Sequence, residues 1–301
     1  MVRVIRRFKK EWPLHVLLLP ALVVTFIFSY MPMYGLIMSF QNYTPALGFG
    51  RSPWVGLENF RFVFAQSQFV RSIYNTLFIS LFKIALGTFA SVLFALLLNE
   101  VRNTFFKRFF QTVVYIPNFI SWVIIAGIMR SILASDGIVN VMFMAAGGTS
   151  PIQFLSDPAI FPWTMVWSDV WKSFGFGTVV YLASITSIDP ELYESAVIDG
   201  AGRLKQTRYI TLPLMGPIIV LMTVLALGNV LNAGFDQIFN LYSPNVYNTG
   251  DIIDTYVFRL GLENMRFSIA AAVGMFKSGV SLVLISLSLW IAYKVAGYKV
   301  F

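Results

Sequence analysis

The sequence predicts an all-α protein that crosses a lipid bilayer about six times. Three observations point there. Of 301 residues, 57% are hydrophobic and only 12% are charged, with a mean hydropathy of +0.72; soluble domains carry about a quarter charged residues. The apolar residues gather into runs at about 14–40, 74–98, 112–133, 160–187, 213–235 and 269–293, each long enough to cross about 30 Å of hydrocarbon. The basic residues behind the net charge of +8 sit at the ends of these runs and form no patch with interleaved aromatics, which argues against a nucleic-acid partner. The absence of cysteine and the single His15 leave no disulfide, thiolate metal site, cysteine nucleophile or histidine-based triad. A non-enzyme with no metal site and no cofactor on this chain follows.

Taking the elements in order, Arg3, Arg6, Arg7, Lys9 and Lys10 precede an apolar stretch that runs from Leu14 to about Phe40. It is too long for a secretory signal and lacks a small-residue cleavage pattern, so it reads as an uncleaved first span. Residues 1–13 are then a basic cytoplasmic N-terminus, and 14–301 a single transmembrane domain. Pro20 and Pro32 predict that the first helix kinks or ends early. The second run carries Lys83. The third, 112–133, reads as one continuous span. The fourth carries Asp169 and Lys172 among Trp167, Trp171 and Phe174. The fifth places Asn229, Asn232, Asp236 and Asn240 at i, i+3, i+7 and i+11, which puts all four along one helical stripe. The sixth carries Lys277.

A charge in hydrocarbon costs at least about 2.5–3.5 kcal/mol, so intramembrane ionisable groups face protein or a water-filled path. On that ground Lys83, Trp167, Asp169, Trp171, Lys172, Asn229, Asn232, Asp236 and Lys277 are candidate pathway residues. The alternatives are an i,i+3 ion pair between Asp169 and Lys172 that only holds its helix, amides that serve as glue between helices, and tryptophans that pack or anchor at the interface. Three lysines against two aspartates predict an anionic solute, provided that the lysines face one pathway.

Orientation follows from the loops. Thirteen Lys and Arg lie on the side of the N-terminus, among them Arg102, Lys107, Arg108, Arg203, Lys205, Arg208, Lys294 and Lys299, against six on the other side. By the positive-inside rule both termini are cytoplasmic. The outer segments, at about 41–73, 134–159 and 236–268, are long and rich in Tyr, Asn, Pro and Gly, as expected of docking surface or of plain solvated loops.

The cytoplasmic segment 190–217 reads PELYESAVIDGAGRLKQTRYITLPLMGP. Asp189 is placed to cap a short helix with Pro190 at its first position, and Glu191 and Glu194 suit the positive end of its dipole. Gly200 and Gly202 break it, and Arg203 to Ile210 restarts a helix that Pro213 leads into the fifth span. By itself this is a helix–turn–helix on the cytoplasmic face, and a passive interfacial hairpin would look the same. The spacing of Glu194, Ala196 and Gly200, and then of Ile210, Leu212 and Pro213, resembles the EAA loop of the permease subunits of binding-protein-dependent ATP-binding-cassette importers, with Ser195 in place of the first alanine. The likeness covers nearly the whole chain: Tyr30 to Gly35, Ser52 to Phe60, Asn75-Thr76, Asn99-Glu100 and Phe235 to Phe239 resemble the polysaccharide-type branch of the sugar permeases, similar to the maltose permeases and including importers of alginate and other uronate oligosaccharides.

The resemblance implies a type I importer permease fold in the bacterial inner membrane, with a coupling helix in the loop at about 188–213 formed by Glu194, Ala196, Asp199, Gly200, Ile210, Leu212 and Pro213. It further implies a second homologous permease as heterodimer partner, two ATPase subunits that hold ATP and Mg, an extracytoplasmic solute-binding protein and an oligosaccharide substrate, with lipid around the spans. The chain lacks G-x-x-x-x-G-K-[ST], as a subunit without its own ATPase should. The rival is an ion-coupled secondary transporter of a small polar solute, which should show inverted repeats and broken helices in matching positions; no such repeat is visible. A membrane enzyme lacks its nucleophile and metal cluster, and a scaffold would not need the EAA spacing.

Overall fold

The computed structural model describes residues 2–296, and side chains from Glu11 to Lys294. The side chains of the N-terminal basic cluster, and Lys299, lie outside the described residues. Every extended element is a helix: among the described residues the only β pairing is an isolated bridge between Gln41 and Trp54. The labels used below are α1 (Val2–Thr25), α2 (Glu58–Ala65), α3 (Ser67–Glu100), α4 (Thr104–Phe119), α5 (Trp122–Ile132), α6 (Ile138–Ala145), α7 (Phe161–Thr186), α8 (Pro190–Ile198), α9 (Arg203–Gly228), α10 (Phe235–Leu241), α11 (Ile253–Phe258) and α12 (Phe267–Ala296).

Among the described residues, four helical stretches are long and apolar enough to cross a membrane: Glu11–Phe40, Ser67–Glu100, Arg203–Gly228 and Phe267–Lys294. The expected third span is not one straight helix. α4 and α5 meet at 100°, so they make a fifth crossing only as a bent pair. The cause is local: Ile120 and Ser121 are extended, and Ser121 starts a new helix by accepting from the Ile124 N–H. α7 has 26 residues, about 39 Å at 1.5 Å per residue, which is long enough to span. Its polar face of Ser168, Asp169, Lys172 and Ser173 dilutes its apolarity.

The chain divides into two compact units. In the first, residues up to Ala65 and Val257–Phe276, regular helix ends at Thr25 and the chain passes through a wide turn at Phe26–Tyr30 into a tighter helix, Met31–Phe40. Pro32 lies at the start of that tighter stretch, where its missing N–H is no loss. The expected irregularity therefore falls between Pro20, which lies inside the regular helix, and Pro32, which opens the tighter one. Beyond it, Asn59 donates to the Ser39 and Gln41 carbonyls, both at 2.9 Å, and fixes the turn that leaves the helix.

The second unit, Gln66–Tyr256 and the chain from Lys277, is built on α3 lying along α7. In lipid the hydrophobic effect does not draw helices together, so close packing must. Small residues permit it. A Cβ added to Gly177 would come 2.7 Å from Ser91 Oγ, and one added to Gly175 would come 2.2 Å from the Val114 carbonyl of α4. Ser91 Oγ donates to the Phe174 carbonyl at 3.0 Å, and Thr178 Oγ1 returns a bond to the Ser91 carbonyl at 3.2 Å. Toward one end, Phe161, Met165, Val166 and Val170 pack with Ile79, Ala126, Ala233 and Ile238 into a buried apolar cluster.

The fifth span departs from expectation in one respect. α9 ends at Gly228, the segment Asn229–Gly234 is non-helical, and Gly234 stands at φ +94° before α10 begins. The left-handed backbone at Gly234 is one that only glycine adopts readily. Asn229, Asn232, Asp236 and Asn240 therefore do not form one helical stripe: the first two belong to the break, the last two to α10.

Candidate functional site

Two adjoining cavities of about 290 and 230 Å³ form a cleft in the second unit whose wall is apolar in the larger part, with polar groups concentrated around Lys83 and Asp169. α3 supplies Ser80, Lys83, Thr88 and Ser91; α7 supplies Asp169, Ser173 and Tyr181; the end of α9 and the break supply Ala226, Asn229, Asn232 and Gly234. At the junction Lys83 is buried, and its ammonium donates to the Ala233 carbonyl at 2.7 Å and to Gln237 Oε1, with Asp169 Oδ1 at 3.5 Å. Gln237, fully buried, is oriented in turn by donating to the Met165 carbonyl and to Ser168 Oγ, each at 2.8 Å. A buried charge survives only when paired and hydrogen-bonded, and this one is both. Ser80 Oγ, by contrast, is buried at the cleft wall and makes no hydrogen bond.

The structure distributes the other candidates differently. Lys277 lies beside the cleft: its ammonium donates to Asn232 Oδ1 at 2.8 Å and to Asp254 Oδ1 at 2.5 Å. Lys172 is elsewhere. It donates to the Asn118 carbonyl at 2.8 Å and sits 5.6 Å from the Trp122 ring centroid, so it satisfies the end of α4 at the bend and makes no i,i+3 pair with Asp169. Trp167 and Trp171 turn away from Asp169, as two residues of offset on a helix require, and line apolar grooves with Met129, Trp163 and Phe94. Asp236 is exposed in the first turn of α10, and Asn240 donates back to its carbonyl. The three lysines thus do not share a pathway, and in the cleft Lys83 faces Asp169. The surplus of positive charge inferred from the sequence is absent there. Sequence reasoning missed Gln237, Asp254, Ser80 and Ser168, which no periodicity marks, because their partners lie on other helices. Among the described residues no three His, Asp or Glu side chains come together to hold a metal ion.

At the far end of α9 lies the hairpin. Asp189 accepts from the Glu191 N–H at 3.0 Å and Pro190 opens α8, as the sequence predicts. Gly200 makes the turn at φ +76°, and a Cβ there would meet nothing within 4 Å. α9 then starts at Arg203, widens into a π turn at Thr207–Thr211 and continues to Gly228 with Pro217 inside it. Ala196 and Ile210 are half-buried, and Tyr193 Oη lies 2.9 Å from Thr211 Oγ1, which closes α8 against α9. Glu194, Asp199, Leu212 and Pro213 are exposed. So are two apolar residues that the spacing did not single out, Ile198 at 86% and Leu204 at 83%.

Membrane-length helices lie around the cleft, and one of them runs to an exposed hairpin, as the membrane subunit of a transport system would require. The chain belongs to the family described as binding-protein-dependent transport system inner membrane component, which matches residues 83–296. It is 39% identical over 282 residues to the polygalacturonan/rhamnogalacturonan transport system permease protein YteP of Bacillus subtilis (strain 168), covering 93% of this chain and 88% of that protein. It is also similar to a chain in the crystal structure of a bacterial ABC transporter involved in the import of the acidic polysaccharide alginate, with TM-score 0.89, 39% identity and coverage of 97% and 99%. A further crystal structure, of a bacterial alginate ABC transporter in complex with an alginate pentasaccharide-bound periplasmic protein, matches with TM-score 0.89, 38% identity and coverage of 99% and 100%. The protein is a multi-pass inner-membrane component of a transport system, a permease in type.

Proposed function

We propose that the chain forms half of the translocation path of an ATP-driven importer for acidic oligosaccharides. One observation carries the reading: the helical stretch α9 joins the hairpin at residues 190–213 to the cleft, so a movement of the hairpin is carried along the same element to the cleft wall. The 26 residues of α9 span about 39 Å. Two ATPase subunits, which hold ATP and Mg, dock on this hairpin and on its counterpart in a second, homologous permease. Closure of the ATPase pair moves α9, and the cleft alternates between the two faces of the membrane. A solute-binding protein delivers substrate on the face opposite the hairpin. The excess of basic residues in the loops on the N-terminal side supports cytoplasmic termini.

In this role Ser80, Asp169, Asn229 and Asn232 meet the hydroxyl groups of a passing sugar, while Lys83 and Lys277 serve the wall behind them. The acidic character of the solute is supported by the relatives, which handle polygalacturonan and alginate, and not by the charge of the cleft. The test is reconstitution of the chain, with a second permease, an ATPase pair and a binding protein, in proteoliposomes. ATP-dependent uptake of oligogalacturonate or oligoalginate is expected. Uptake driven by an ion gradient in the absence of the ATPase would refute the reading.

A further inference from the structure

The backbone between α9 and α10 leaves helical geometry inside a membrane protein, where freed peptide groups must find partners in protein or in a water-filled cavity. Part of the accounting closes within the segment: the Asn229, Val230 and Asn232 N–H groups donate to the Ala226, Leu227 and Asn229 carbonyls at 3.0, 3.1 and 2.9 Å. Two lysines on different helices hold the segment further, one through a backbone carbonyl and one through a side-chain amide. Lys83 of α3 reaches the Ala233 carbonyl at 2.7 Å, and Lys277 of α12 reaches Asn232 Oδ1 at 2.8 Å. Each ammonium is neutralised by a carboxylate on a further element, Asp169 of α7 at 3.5 Å and Asp254 of α11 at 2.5 Å. The segment is shaped to admit Lys83, since a Cβ on Gly234 would come 3.0 Å from its Nζ.

We infer that Lys83 and Lys277 are positioning residues that clamp the Asn229–Gly234 break from two sides and so hold the amide wall of the cleft in place. Two of the three N–H donors of the Lys83 ammonium go to Ala233 and Gln237, and Asp169 Oδ1 stands 3.5 Å away as its counter-ion. A solute carboxylate would have to compete with Asp169 for it. α3 and α12 thereby hold the break at Ala233 and Asn232, and α7 and α11 hold the two lysines through their carboxylates. The consequence for transport rests on the cleft being part of the solute path; the clamp itself does not.

The chain contains no cysteine, so a single introduced thiol reports the break directly. Leu231, 4% exposed, is changed to cysteine in the assembled importer in proteoliposomes, and its reaction rate with a water-soluble maleimide is measured. Each ion pair is removed whole, as Lys83→Met with Asp169→Asn, or as Lys277→Met with Asp254→Asn, so that no buried charge is stranded. The expected result is labelling at least about tenfold faster than with the lysines intact, because local opening of the break becomes more frequent. An Ala159→Cys control in an exposed loop keeps its rate. Unchanged labelling of Leu231→Cys in both pairs overturns the inference. So does unchanged labelling together with a selective loss of affinity for acidic over neutral oligosaccharides, the result that anion binding by the lysines requires. Faster labelling with unaltered uptake leaves the clamp standing and removes the cleft from the solute path, which separates the two failures.

Discussion

Gly200 offers the sharpest test of the hairpin. Its φ of +76° lies in the left-handed region, yet a Cβ built there meets nothing within 4 Å. A substitution is therefore penalised by backbone conformation alone and not by a clash. For an L-residue the left-handed conformation costs about 1–2 kcal/mol, and a β-branched side chain falls at the upper end. If the ATPase recognises the hairpin with this turn intact, Gly200→Val lowers docking affinity by about thirtyfold, taking about 2 kcal/mol at 1.4 kcal/mol per tenfold. Asparagine tolerates the same region, so Gly200→Asn should lower affinity by less than about fivefold. Both variants insert normally, because the residue is exposed and packs on nothing. The assay is titration of purified ATPase subunits onto the permease pair in nanodiscs, with solute-stimulated ATP hydrolysis measured in parallel. Equal affinities for Val, Asn and Gly would refute the reasoning and reduce residues 190–213 to a passive hairpin.

Three further outcomes follow from the geometry. Gly175→Ala drives a methyl group to 2.2 Å from the Val114 carbonyl and should cost about 1–3 kcal/mol through displacement of α4 from α7, read as a lower unfolding midpoint in detergent; Gly127→Ala in α5, where a Cβ meets nothing within 4 Å, is the matched control and should leave the midpoint unchanged. Lys172→Gln loses the bond to the Asn118 carbonyl at the α4–α5 bend and should reduce uptake of acidic and neutral oligosaccharides by the same factor; a loss confined to acidic solutes would return Lys172 to the pathway. Arg203 pairs with Glu100 at 2.6 Å with both side chains substantially exposed, so Arg203→Ala should weaken hairpin stability by no more than about 1 kcal/mol, measured by hydrogen exchange in α8, and the difference should fade in high salt.

The class of the protein was written along the chain because its signals are local. Apolar runs, loop charges, the Asp189 cap, Pro190 and the spacing from Glu194 to Pro213 all act within a few residues, and the hairpin formed where they placed it. Three features were not legible there. The bend between α4 and α5 turns on Ile120 and Ser121, just past Pro117 and Asn118 in a run that is otherwise mostly apolar, and the break after Gly228 interrupts another; mean hydropathy cannot distinguish a continuous helix from a broken one when both satisfy the membrane. The roles of the lysines were hidden for a different reason. Whether Lys83 faces solute or protein depends on Asp169, Ala233 and Gln237, which lie far along the chain and on other helices. A charge in the membrane tells the reader that it must have a partner, and only the packing of the helices decides which.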